Sequence, residues 1–198
     1  MNALPAASLT GYWAADVVSS NLIVLLNLIG ALLLGLLVGY ERSYRGRAAG
    51  MRTYGLVCMA SAGLTVICAY PHMWFGTHWG GQAMTDPTRV FQGIVTGIGF
   101  LGAGVIMREG FNISGLTTAA SIWSSSVIGI MIGVGFYGAA VALALLSMGC
   151  MMWVSRLEGW LPSRPALAIS LQFRRDFYPS DQALRQATAE NGYEIAGG

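Results

Sequence analysis

The six residues Gly97-Ile98-Gly99-Phe100-Leu101-Gly102 match the spacing G-x-G-x-x-G. In a dinucleotide site those glycines let the backbone approach a pyrophosphate at a helix N-terminus, after a strand and ahead of an acidic residue for the ribose. Here they lie inside an apolar run with no acid at the ribose distance, so the context rejects a nucleotide. His72, His78 and Asp86 are three possible ligands for a divalent cation. Their spacing matches no tight site, and the tryptophan and phenylalanine around them suit membrane contact better. All eleven basic side chains are arginine. The absence of lysine removes Walker-type phosphate loops and Schiff-base chemistry. Cys58, Cys68 and Cys150 form no C-x-x-C pair and sit in apolar runs, where they read as small buried hydrophobes. No G-x-S-x-G elbow, H-E-x-x-H or paired-carboxylate cleft occurs. The sequence predicts no enzyme, no metal site and no cofactor.

The remaining charged residues gather where apolar runs begin and end. Glu41 and Arg42 close the first run, Arg52 opens the second, and Arg108 and Glu109 close the third. Thr117 and Thr118 open the fourth, where a hydroxyl can cap orphan N–H groups. One reading is a rim network in which Arg42, Arg52 or Arg108 pairs Glu41 and Glu109. The other is interfacial anchoring by solvated arginines. No Asp, Glu, Lys or His lies in the middle of a run, which weakens proton-coupled transport. Asn27, Ser61, Thr65, Thr96 and backbone carbonyls remain as coordinating groups.

These residues are positioned by five apolar runs, at about 22–40, 53–70, 90–107, 118–134 and 138–154. Residues are 55% hydrophobic and 10% charged, against about 25% charged in soluble domains. A run of about 19 residues crosses the hydrocarbon core as a helix. The expected fold is an all-α polytopic membrane protein with five transmembrane helices. Residues 1–21 form an N-terminal periplasmic segment, 22–155 the membrane domain and 156–198 a cytoplasmic tail. Asp16 and the lack of a basic n-region argue against a removable signal peptide. Pro71 stops the second run, and the turn at 135–138 makes the last two helices antiparallel neighbours. Arg42, Arg45, Arg47, Arg52, Arg108, Arg156 and Arg164 fall on one side, which the positive-inside rule makes cytoplasmic. The N-terminus is then outside and the C-terminus inside. Tyr12, Trp13, Trp74, Trp79, Phe136 and Tyr137 mark the outer interface; Tyr40, Tyr44, Tyr54 and Trp153 mark the inner one. The tail reads as strand (167–173), helix (179–191, capped by Ser180 and stopped by Gly192) and strand (193–195). A formal charge of +2 with no basic stripe implies no nucleic-acid partner.

Glycine supplies the other signal. Gly93, Gly97, Gly99, Gly102 and Gly104 share the third run, and Gly35/Gly39, Gly93/Gly97 and Gly129/Gly133 are G-x-x-x-G pairs. Ser121 and Ser125 extend the fourth-run ridge. Small residues let helix backbones approach closely in a bilayer. The same density also suits a broken third helix whose free carbonyls line a cavity, as in transporters. Both readings stay open at this level.

Three separated motifs resemble the MgtC/SapB family of bacterial inner-membrane proteins. They are Gly39-Tyr40-Glu41-Arg42 leading to Ala49-Gly50-Met51-Arg52-Thr53, the run GIGFLGAGVIMREG at 97–110, and Gly115-Leu116-Thr117-Thr118-Ala119-Ala120. The resemblance covers roughly residues 22–155. It implies a virulence and stress factor for growth in low magnesium and survival inside macrophages. Such proteins are often labelled magnesium transporters yet are thought not to carry magnesium; they restrain the F-type ATP synthase. Members of this type end in a cytoplasmic ACT-like domain, of which the tail here retains the opening strand and helix. The glycine run, Glu41, Arg52, Thr117 and Thr118 fall on family motif positions. The expectation is a regulator acting by contact within the bilayer, with G-x-x-x-G faces serving self-association, favouring a dimer, and docking to the synthase membrane sector. The alternative is an ion transporter using a broken third span.

Overall fold

The computed structural model describes residues 13–47, 49–70, 86–109, 112–160 and 180–191. The chain divides into two compact units, Met1–Ser163 and Arg164–Gly198. The first is a helical bundle: α1 (Ala15–Tyr44), α2 (Met51–Ala69), α3 (Pro87–Val105), α4 (Leu116–Val134) and α5 (Tyr137–Gly149). The last continues through a π-helical turn, Cys150–Val154, into a single turn α6 (Ser155–Glu158). The described part of the second unit is α7 (Asp181–Glu190), capped as expected by Ser180, whose Oγ accepts from Ala183 N–H at 3.3 Å. The strands expected at 167–173 and 193–195, and the stop at Gly192, lie outside the described residues.

The distribution of polarity is that of a protein in lipid. Large apolar side chains face outward: Leu26 and Leu33 are 59% exposed, Leu146 71% and Phe100 85%. Asn27, Glu41, Arg42, Ser61, Thr65, Thr118, Ser121, Ser125 and Ser126 are buried instead. In water this arrangement would forfeit the hydrophobic drive to fold; in hydrocarbon the outer apolar face costs nothing and the polar groups must find partners inside. Four helices are long and apolar enough to cross a membrane: Ala15–Tyr44, Met51–Ala69, Leu116–Val134 and Tyr137–Val154. The chain is a helical membrane protein. The third expected span, α3, has 19 residues but is not one of the four; Arg89, Gln92 and its glycines dilute its hydropathy.

Several boundaries differ from the sequence expectation. Helix α1 is 30 residues long, about 45 Å, so it runs beyond a hydrocarbon core of about 30 Å. Its added turns are polar enough to be read as loop, yet the backbone ladder continues through them. Past the third expected run, two short strands, β1 (Met107–Glu109) and β2 (Asn112–Ser114), pair antiparallel as Met107↔Ser114, Arg108↔Ile113 and Glu109↔Asn112. The all-α expectation is corrected by these two strands. Each has only three residues, too few for an alternation to stand out. Of the two readings of the glycine-rich third run, the broken helix is not seen: α3 is continuous from Pro87 to Val105. Asp86 caps it, accepting from Thr88 N–H at 3.0 Å and Thr88 Oγ1 at 2.6 Å. Helix α2 ends at Ala69; Pro71, expected to stop the second run, lies outside the described residues.

Helices α2 and α4 form the centre. Tyr54, Cys58, Ala62 and Val66 of α2 and Ile122, Ile128 and Ile132 of α4 are buried, with Ala31 and Val38 of α1 and Ala140 and Ala144 of α5 packed on them. Glycine sets the distances. A Cβ on Gly35 would lie 2.6 Å from the Tyr54 carbonyl, and one on Gly39 2.7 Å from Met51 Cα. From α4, a Cβ on Gly133 would lie 2.5 Å from Thr65 Cβ, and one on Gly129 would overlap the Cys58 carbonyl. Two of the three G-x-x-x-G pairs thus pack against α2 within one chain.

Candidate functional site

The polar groups converge where α1 ends and α2 and α4 begin. Helix α1 places Glu41 and Arg42 in its last turn, where a cation also complements the negative end of the helix dipole. Both are buried, at 6% and 5% exposure. Arg42 Nε donates to Met151 Sδ at 3.0 Å, and Nη2 donates to the Thr117 carbonyl at 3.3 Å and to Ser121 Oγ at 3.4 Å. One guanidinium therefore ties α1 to α4 and to the π-helical turn after α5. A fork of five fixed donors suits such a junction where a single ammonium would not.

The acceptors are mostly neutral. Glu41 Oε2 lies 3.7 Å from Arg42 Nε and has no hydrogen-bond partner among the described residues, while Glu41 Oε1 pairs with Arg45 Nε at 2.7 Å. Of the expected rim network, the described residues show Arg42 beside Glu41. Arg45 is a further partner of Glu41, one helical turn on at i, i+4. Arg52 is exposed and makes no ion pair among the described residues. Arg108 and Glu109 contribute backbone to β1, and their side chains lie outside the described part of the structure.

Ser121 completes the hub. Its Oγ donates to the Thr118 carbonyl at 2.9 Å, which uses its one proton. The short bond between Ser121 Oγ and Tyr54 Oη therefore has tyrosine as donor. One turn on, Ser125 Oγ donates to the Tyr54 carbonyl at 3.0 Å. Tyr54 is fully buried, not at the interface where its aromatic ring alone had placed it. The threonines do not cap α4 as expected. Its N-cap is Gly115, at φ 88° and without a side-chain cap bond. A Cβ there would overlap the Val105 carbonyl, so glycine is required by space as well as by backbone. Thr117 contributes its carbonyl, and Thr118 is buried beside Ser121.

Asn27 lies apart from this hub. Its Oδ1 accepts from Tyr137 Oη at 2.8 Å, linking α1 to the start of α5. Ser124 and Ser147 pair at 2.7 Å between α4 and α5. Asn27 is thus satisfied within the bundle. Ser121, Met151 and Arg45 were the members of the hub that residue type alone did not single out. The i, i+4 serines of α4 were visible as a ridge but not as arginine acceptors.

The third glycine pair behaves differently from the other two. Cβ atoms on Gly93, Gly97, Gly99 or Gly104 would meet no heavy atom within 4 Å, and one on Gly102 would rest on Ala119 at 3.5 Å. Gly93 and Gly97 instead border an open apolar groove of about 540 Å³ between α3 and α2, lined by Leu56, Ala60, Leu64 and Val90. Among the described residues no group of three His, Cys, Asp or Glu gathers to hold a metal. His72 and His78 lie outside those residues, and Asp86 is occupied as a helix cap.

The MgtC family model matches residues 28–160, which contain the hub and all three glycine pairs. A protein named MgtC from Brucella abortus is 46% identical over 120 residues, 60% of this chain and 46% of that protein. Another from Salmonella typhimurium is 44% identical over 126 residues, 62% of this chain and 48% of that protein. The chain thus spans about half the length of the curated relatives it matches. No solved structure matches.

Proposed function

Because the chain belongs to the MgtC family, we propose that it is a bacterial inner-membrane regulator that supports growth in low magnesium and intracellular survival. It acts without catalysis or cofactor, by contact with the membrane sector of the F-type ATP synthase, which it restrains. In this reading α3 is a fifth span, held in the bilayer by the helices beside it. The N-terminus is then outside and the arginine-rich turn at 45–52 cytoplasmic.

The observation that carries the reading is the open Gly93/Gly97 face of α3. The G-x-x-x-G faces of α1 and α4 are filled by α2, so of the three pairs that of α3 is the one open to the close approach of a partner helix that glycine permits. A second copy of the chain would use the same face, and a dimer is part of the proposal. Transport through a broken third helix draws no support from a continuous α3.

The test is Gly97→Leu, which fills the groove without touching the bundle interior. Gly35→Leu is unsuitable, since it would collide with α2. The variant should accumulate normally but lose co-purification with the synthase and lose inhibition of ATP-driven proton pumping. Undiminished recovery with Gly97→Leu would refute the docking face. Magnesium or proton flux in proteoliposomes lacking the synthase would favour the transporter.

A further inference from the structure

The turn between α1 and α2 leaves positive charge uncompensated at one end of the bundle. It carries Arg42, Arg45, Arg47 and Arg52 against Glu41 alone. Arg42 is buried in the hub, and Arg45 holds Glu41. Arg47 and Arg52 are both exposed, and neither forms an ion pair among the described residues. The turn itself is pinned. Arg47 N–H donates to the Arg42 carbonyl at 3.0 Å, and Met51 N–H donates to Ser43 Oγ at 2.9 Å.

Two tyrosines border the same end of α1. Tyr40 and Tyr44 are 57% and 82% exposed and stack with ring centroids 6.4 Å apart. Exposed tyrosines at the end of a spanning helix belong at headgroup depth. Among the described residues the chain therefore offers two guanidinium groups without an ion pair and a stacked aromatic pair at the level of lipid phosphate.

We propose that this turn is a binding surface for the phosphodiester headgroup of an anionic glycerophospholipid. Arg47 and Arg52 donate to the phosphate oxygens, and the tyrosines pack against the glycerol and upper acyl chains. The guanidinium fork matches a phosphate bidentately. A zwitterionic lipid carries its own cation and gains less from two arginines. Free phosphate would lose the contact with the tyrosines. The surface is independent of the synthase-docking face on α3, so either proposal can fail without the other.

Native mass spectrometry of the full chain released from zwitterionic detergent, with phosphatidylglycerol and phosphatidylcholine added in equal amounts, tests the idea. The wild type should retain phosphatidylglycerol preferentially, and retention should weaken as salt is raised. Arg47→Gln and Arg52→Gln should each lower phosphatidylglycerol affinity about fivefold, and the double variant about thirtyfold. Arg89→Gln, at the start of α3, should leave it unchanged. Equal retention of both lipids, insensitivity to salt, or equal loss in Arg89→Gln would overturn the proposal. So would displacement of the lipid by millimolar inorganic phosphate, which would identify a free-anion site. The two measurements on the wild type decide the matter even if the variants do not fold.

Discussion

Adding one methyl group at Gly35 should lower stability, whereas one at Gly97 should leave it equal or raise it. At Gly35 the new Cβ would lie 2.6 Å from the Tyr54 carbonyl and 2.8 Å from both Cys58 Cβ and Gly55 Cα. Restoring a contact of about 3.5 Å requires α1 and α2 to part by roughly 0.8 Å. Two of the three obstructing atoms are backbone, so no side-chain rotation relieves the clash. A gap of that size forfeits about a quarter to a half of each dispersion contact along the seam, which includes Ala31, Val38, Tyr54 and Cys58. Overpacking of this kind costs about 1–3 kcal/mol. At Gly97 nothing lies within 4 Å, so alanine meets no resistance and gains up to about 1 kcal/mol in helix propensity. Reversible unfolding of the detergent-solubilised protein, followed by protease susceptibility across a denaturant series, measures both. Gly35→Ala should unfold at lower denaturant and Gly97→Ala at equal or higher denaturant than wild type. Equal destabilisation by the two variants would refute the assignment of Gly35 to an internal seam and Gly97 to an open face.

The hub gives further expectations. Arg42→Met should cost about 2–3 kcal/mol, because charge-assisted bonds to Thr117 and Ser121 are lost and Glu41 loses its neighbouring cation. Glu41→Gln should cost less, about 0.5–1 kcal/mol, since its direct pair with the half-exposed Arg45 is screened; the same unfolding assay ranks the two. Tyr54→Phe should cost about 0.6–1.7 kcal/mol by removing the proton that Ser121 accepts, and Ser121→Ala should then add almost nothing from that bond in a double-mutant cycle. Asp86 is held below the usual carboxylate range by the Thr88 hydroxyl and then by the Thr88 amide. Its cap on α3 is therefore fully present above the ordinary carboxylate value of about 3.9 and is lost as pH falls through the lower folded value. The thermal midpoint should drop on that acid limb in wild type, and this part of the drop should vanish in Asp86→Asn.

Much of the fold was legible because lipid leaves few choices. Apolar stretches long enough to cross hydrocarbon must be helical, since only a helix satisfies its own backbone there. Four of the five expected runs appear as such helices, and the short turn before Tyr137 joins α4 to α5 as anticipated. The extension of α1 to Tyr44 and the hairpin at 107–114 were missed, since both lie in polar sequence where periodicity gives no instruction. For the site, the sequence located the right end of the bundle but not the right partners. Glu41, Arg42, Thr117 and Thr118 do converge there, and the arginine also takes a thioether, a carbonyl and a hydroxyl that residue type did not single out.

The sequence by itself determined that this chain is a helical membrane protein, placed its arginines at helix ends, and supplied three glycine pairs able to bring backbones together. Only the tertiary structure decided how those features are used. It closed the Gly35/Gly39 and Gly129/Gly133 faces around α2, left Gly93/Gly97 open, and buried Arg42 while exposing Arg52. The physical reason is that a residue's type fixes what it can bond or admit, whereas the atoms opposite it come from helices tens of residues away, as Met151 does for Arg42.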